Sequence, residues 1–135
     1  MGMIVKLAED KYVDWSGCCD APATGVMSRS DMEEFVKDQE LREMRLRPGE
    51  IEKMEGREKE ITQELFDLRV KQRLDRIEKN GIEKNGTSSM HGSSAKSLVA
   101  GNRAGPKETC LTIDEIIEAY TWTPEKKGKW PFSHT

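Results

Sequence analysis

The charged stretch of residues 48–79 is the feature that most limits what this chain can fold into. It contains no proline after Pro48 and few β-branched residues. Acids near its start and bases near its end suit the dipole of a helix. Asn80 and Gly81 follow, and both residue types accept the left-handed conformation that ends helices. The stretch therefore predicts one long helix of roughly eight turns, at about 3.6 residues per turn.

The apolar residues of this predicted helix lie on two sides rather than one. With successive residues about 100° apart around the axis, one side carries Ile51, Met54, Ile61, Leu65 and Leu68. Roughly the opposite side carries Phe66, Val70, Leu74 and Ile77. A helix that packs once on a small core shows a single apolar face, so two faces predict two contacts. Either both contacts form within the chain, or one face meets another chain, and we expect the second set to bind that partner.

The composition leaves little material to cover both faces. Hydrophobic residues make up 35% of the 135 residues, charged residues another 35%, and aromatic residues 6%. The chain is therefore poorer in apolar residues and richer in charged ones than an ordinary globular domain. We expect one domain with a small core, and either a partner or disorder over part of the chain. The net charge of −3 provides no general attraction to nucleic acid or to an anionic membrane.

Two shorter helices are predicted, one before and one after the long helix. Ser30 and Glu33 suit a capping box, in which the two residues pair side chain with backbone at a helix start, and that helix runs to about Met44. Thr112 and Glu115 suit a second capping box. The apolar stripe of the helix that follows consists of Ile113, Ile116, Ile117 and Tyr120. We expect this stripe to cover one face of the long helix.

The remaining segments surround these helices. Residues 3–7 and 11–15 are short apolar runs that predict either a β-hairpin or an extended arm, and residues 16–29 read as irregular. Residues 80–108 are rich in Gly, Ser and Asn, which predicts a flexible linker in which residues 96–100 could form a short ordered element. The predicted organisation is an arm or hairpin over 1–29, two helices separated by a break over 30–79, a linker over 80–108, and a helix with a tail over 109–135.

The C-terminal tail combines aromatic and basic residues, namely Trp130, Phe132, Lys126, Lys127 and Lys129. Exposed aromatics favour docking into a pocket of a protein partner, although bases beside aromatics also bind nucleic acid. Arg69, Arg73 and Arg76 share one side of the long helix, and with the tail lysines they are the possible nucleic-acid contacts. The sequence favours a structural explanation of these arginines, as the cationic end of a helix with partners in the fold.

Cysteine usage and the N-terminal sequence bear on compartment and metals. Cys18, Cys19 and Cys110 make an odd count, and residues 1–15 lack the apolar core of a secretion signal. No apolar run is long enough to span a bilayer, so we expect a cytoplasmic protein, or one inside a virion if viral, with no membrane partner. Adjacent cysteines lack ordinary zinc spacing. His91 and His134 could complete a ligand set, but nothing in the spacing requires it, so we predict no metal and no cofactor.

No motif of catalysis is present. The sequence lacks the glycine-rich phosphate loops, the G-x-S-x-G nucleophile motif and the H-E-x-x-H metal motif. We therefore expect a non-enzyme with a mainly α fold: a long central helix, two shorter helices, an N-terminal hairpin or arm, and a long flexible loop. The function expected is protein–protein interaction or assembly, cellular or viral, with a protein partner or a homo-oligomer. The alternative is a nucleic-acid-binding regulator.

Overall fold

The computed structural model describes residues 3–81 and 95–122. Three strands come first: β1 (Met3–Ala8), β2 (Lys11–Ser16) and β3 (Ala21–Pro22). Four helices follow among the described residues: α1 (Arg29–Glu43), α2 (Gly56–Lys79), α3 (Ala95–Ala100) and α4 (Ile113–Tyr120). The chain divides into two compact units, the first drawn from Met1–Arg29 and Ile77–Thr135 and the second from Ser30–Arg76.

The prediction of a mainly α fold is wrong, because the described residues form a mixed α/β structure that is 54% helical and 14% strand. Of the two alternatives for the N-terminus, the hairpin is the one that forms. The segment predicted to be irregular extends it: β3 pairs with β2, which gives an antiparallel sheet in the order β1-β2-β3. Tyr12 and Met27 add an isolated bridge, with N–O distances of 2.9 and 2.7 Å. The turn-rich composition of this segment did not indicate its backbone pairing, although β3 pairs with residues close to it in the sequence.

The predicted starts of α1 and α2 both shift. Helix α1 begins at Arg29, so Ser30 lies within the first turn rather than before it. Helix α2 begins at Gly56 instead of Pro48, because the short 3₁₀ turn before it ends in extended backbone at Met54. Gly56 then has φ 63°, a left-handed conformation that glycine adopts without a steric penalty. Gly56 falls inside the predicted long helix of residues 48–79, but in the structure it stands at the start of a shorter helix.

The hairpin has one wholly apolar face. The second face, called here the polar face, carries Lys6 and Asp14 beside the buried Ile4 and Tyr12. Val5 lies opposite Val13, and Met3 opposite Trp15. Because successive side chains of a strand point to opposite faces, these four residues share one face. Lys6 and Tyr12 pair on the other face.

The apolar face of the sheet builds the core of the first unit together with α3, α4 and the loop between them. The buried cluster consists of Val5, Leu7, Val13, Trp15, Ala21, Val99, Ala104, Ile116 and Tyr120. Helix α4 starts with the predicted capping box: the Thr112 side chain accepts from Glu115 N at 3.2 Å, and Thr112 N donates to Glu115 Oε1 at 2.9 Å. The apolar side of α4 was expected to cover the long helix, but it packs instead in the core beneath the sheet.

Asn102 anchors the loop that follows α3, within the span predicted as a flexible linker. Its buried amide nitrogen donates to the carbonyls of Val99 at 2.6 Å and Leu111 at 2.8 Å. Its oxygen accepts from the backbone N–H groups of Ala104 at 3.1 Å and Leu111 at 2.9 Å. One side chain thus satisfies four backbone groups, which lets a Gly/Ser-rich segment carry Val99 and Ala104 into the core.

Replacing Asn102 with aspartate should destabilise the protein strongly. Asn102→Asp keeps the side-chain size but removes the amide donors, so a carboxylate would face two buried carbonyls. We expect the free energy of unfolding to fall by about 2–4 kcal/mol, measured by urea unfolding followed by circular dichroism. Asp114→Asn on the exposed side of α4 makes the reverse chemical exchange, and it should change stability by less than about 1 kcal/mol. Equal stability of the two variants would show that the four bonds contribute little.

Candidate protein-binding site

Helices α1 and α2 meet in the second unit around a buried carboxylate. Met32 and Val36 on α1 are fully buried, and one turn further along the same side Glu40 is 5% exposed. The Glu40 carboxylate accepts a hydrogen bond from Arg69 Nε at 2.8 Å and lies 3.7 Å from an Arg73 guanidinium nitrogen. A buried charge is tolerated when it is paired, so Glu40 fixes the side of α2 that turns toward α1.

The fold largely covers the face of α2 that was predicted to bind a partner. Val70 is 7% exposed and Ile77 is 8% exposed. Phe66 and Leu74 are half-buried. These four side chains therefore offer little free surface to a second protein. Helical geometry places Val70 on the same broad side as Arg69 and Arg73, which explains its burial.

The other side of α2 carries the largest exposed apolar side chains of the second unit. Ile61, Leu65 and Leu68 are 53%, 47% and 51% exposed. They stand at i, i+4 and i+7, so they form one row on the helix surface, called here the apolar stripe. The sequence placed Ile51 and Met54 on the same face. Because those two precede the helix, Ile51 is buried and Met54 is half-buried.

The residues proposed for nucleic acid are only partly available. Arg69 is bound to Glu40, and Arg73 donates to Gln39 Oε1 at 2.9 Å as well as lying near Glu40. Arg76 is exposed. Two of the three arginines therefore have partners in the fold, on α1. The tail residues Trp130, Phe132, Lys126, Lys127 and Lys129 lie outside the described residues.

A second polar cluster lies on the polar face of the sheet in the first unit. The Glu78 carboxylate accepts hydrogen bonds from the Tyr12 hydroxyl, from an Arg29 guanidinium nitrogen and from Lys6 Nζ, the last at 2.9 Å. Lys6 also pairs with Glu9 at 3.1 Å. The partners of Glu78 come from far along the chain, so no local spacing in the sequence indicated the cluster.

The pKa shifts of this cluster favour a charged Glu78, a charged Lys6 and a neutral Tyr12. Burial alone would raise the pKa of Glu78, but the hydrogen bonds from Tyr12 and Lys6 and the charges of Lys6 and Arg29 outweigh burial and lower it. The hydrogen bond to Glu78 raises the pKa of Lys6. Burial, followed by the bond to Glu78, raises the pKa of Tyr12. An ionised carboxylate with three donors is a weak base, so the arrangement suits an anchor rather than a catalytic group.

The three cysteines are exposed free thiols. Within residues 3–81 and 95–122, no three His, Cys, Asp or Glu side chains are grouped closely enough to hold a metal ion. His91 and His134 lie outside those residues. The same part of the chain contains no helix with both the length and the apolar content needed to cross a bilayer.

Comparison with known proteins identifies no matching family, no similar curated protein and no similar solved structure. The candidate site is therefore assigned from geometry alone. Among the surfaces of the described residues, the apolar stripe is the one whose chemistry points to a ligand, because the polar clusters at Glu40 and Glu78 are already satisfied.

Removing the charge of Glu78 should reduce stability in a pH-dependent way. A carboxyl whose pKa is lowered by folding contributes stability above its unfolded pKa and loses that contribution as the pH falls through its folded pKa. Glu78→Gln should therefore lower the free energy of unfolding by about 1–3 kcal/mol at pH 7. The difference in stability from the native protein should narrow as the pH falls through the lowered pKa of Glu78, because the native side chain then becomes neutral too.

The measurement is urea unfolding at a series of pH values between 7 and 3. Glu34→Gln is the matched control, because Glu34 is exposed and lies 3.6 Å from Lys37 in a surface pair. Such pairs contribute about 0–1 kcal/mol, so this variant should stay close to the native curve. If the free energy of unfolding of Glu78→Gln differs from that of the native protein by the same amount at pH 7 and pH 3, the charge of Glu78 does not stabilise the fold.

Proposed function

We propose that this chain is a non-enzymatic protein–protein interaction or assembly component whose helix α2 binds an apolar helix of a protein partner. The observation that carries the proposal is the apolar stripe, three large side chains in one row that are each about half exposed. Single exposed apolar residues are common on protein surfaces, whereas a contiguous row is typical of an interaction site. Spacing of i, i+4 and i+7 is the pattern by which helices dock on helices.

The energetics suit a modest interaction. Complete burial of a leucine or isoleucine side chain stabilises by roughly 1.5–3 kcal/mol, and each residue of the stripe still has about half of its surface to bury. Three such side chains supply a useful driving force, but association also costs several kcal/mol of lost freedom. The C-terminal tail, with Trp130 and Phe132, is a second proposed contact that would add to the affinity.

The geometry gives less support to a nucleic-acid-binding function. Glu40 neutralises the arginine pair at positions 69 and 73, so phosphate contacts by these two would require breaking a bond to a buried carboxylate. Apolar side chains in a row also offer nothing to a phosphate backbone. A protein partner therefore accounts for more of the exposed chemistry of α2.

A photo-reactive amino acid placed at Leu65 should cross-link to protein in the cells that make this chain. The stripe would lie against the partner, so the probe would sit within bonding distance of it. The adduct is detected as a band of raised mass, and the partner peptide is identified by mass spectrometry. Adding Ile61→Ser and Leu68→Ser should abolish the adduct, because the rest of the stripe is then removed.

The same probe at Lys59 is the control, because this exposed position lies on the side of the helix opposite the stripe. We expect no specific adduct there. Equal cross-linking at positions 59 and 65, or none at position 65, would contradict a docking function for the stripe.

A further inference from the structure

Two unpaired charges of opposite sign flank the apolar stripe on the same edge. Glu64 and Lys71 lie about 100° and 120° around the helix from Leu65, in the same direction. Both are exposed, and neither forms an ion pair with another described residue. Asp67, which stands one turn before Lys71, instead accepts from Gln63 at 2.8 Å. The edge therefore presents an acid near one end of the stripe and a base near the other.

This order of charges is complementary to itself when the helix is reversed. Consider an antiparallel pair in which Leu65 faces Leu68 of a second copy. The edge that carries Glu64 and Lys71 on one helix then lies beside the same edge of the other helix. Glu64 then lies within about 3 Å along the axis of Lys71 of the second copy, given a rise of 1.5 Å per residue. Symmetry repeats the contact, so one such pair forms at each end of the stripe.

A parallel pair lacks this match. In a parallel pair, one edge of each helix lies beside the opposite edge of the other helix. Lys71 would then face Arg76 of the second copy, and these like charges repel. Glu64 would face Arg69, which is already bound to Glu40. Charge therefore favours the antiparallel orientation over the parallel one.

We infer that the partner of the apolar stripe is a second copy of this chain, bound with the two α2 helices antiparallel. The inference rests on the proposed function, since it names the occupant of the same surface. The contact is short, because antiparallel pairing also sets Glu58 near Asp75 of the second copy, where two acids repel. Three side chains per copy also bury less than the roughly 800 Å² per partner of a standard interface. The dimer is therefore weak and depends on protein concentration.

Charge exchange at the two flanking positions tests the inference on the purified full chain. The dimer dissociation constant is measured by sedimentation equilibrium for the native chain, Glu64→Lys and Lys71→Glu. Each variant alone places like charges together twice, so each should weaken the dimer by about fivefold to tenfold. An equimolar mixture of the two variants should form heterodimers at least as tight as the native dimer, because both pairs are then opposite in charge.

Further variants separate the possible failures. Leu65→Ser should weaken the dimer more than tenfold, and circular dichroism checks that all variants remain folded. If Lys71→Glu strengthens the dimer, the pairing is parallel and the inference is overturned. If Leu65→Ser leaves the dimer unchanged, the stripe is not the interface, which overturns it as well. If the native chain stays monomeric up to about 1 mM, the inference of self-pairing is overturned. Cross-linking at Leu65 in cells tests the proposed function separately, because it detects any protein partner.

Discussion

One carboxylate, that of Glu78, joins parts of the chain that are far apart in sequence. Its three donors come from β1, β2 and the first residue of α1. The last turn of α2 is thereby held on the polar face of the sheet, while the opposite face builds the apolar core with α4. Lys6 also supplies its aliphatic stem to this contact, and a Cβ at Gly81 would lie 3.5 Å from it. The sheet is therefore enclosed on both faces, by apolar packing on one and ionic bonding on the other.

This chain has few apolar residues, and ion pairs take over part of the work of orienting its helices. Glu40 and Glu78 each draw cationic side chains into the folded structure, Glu40 in the second unit and Glu78 in the first. A buried ion pair contributes little net stability, but removing one partner is costly because the other charge is left behind. The high charged content therefore does not mean that every charge is solvated. Some of these residues fix which helix faces turn inward, a task that a larger apolar core performs in other proteins.

The sequence could predict elements that have a clear local pattern, and it failed where that pattern is weak or the cause is remote. The capping box at Thr112 and the hairpin of residues 3–15 depend on neighbouring residues, and both form. The pattern of residue types did not reveal strand β3 or the left-handed backbone of Gly56, although both are local. The donors of Glu78 lie far from it in the sequence. The two apolar faces of α2 were visible in its periodicity. Which face the fold covers depends on Glu40, an element away. Periodicity alone therefore placed the predicted partner contacts on Phe66, Val70, Leu74 and Ile77, a face that the fold largely covers.

Helix formation does not explain the apolar stripe. Glutamate, lysine and glutamine have helix propensities close to that of leucine, so polar residues at positions 61, 65 and 68 would support α2 equally well. Half of each side chain contacts water, and the favourable free energy of burying that half is not realised within the single chain. It is realised only when another surface covers the row. The free energy of burying the exposed half of the stripe is therefore left for association, and this is the physical basis for the proposed role of α2 in assembly.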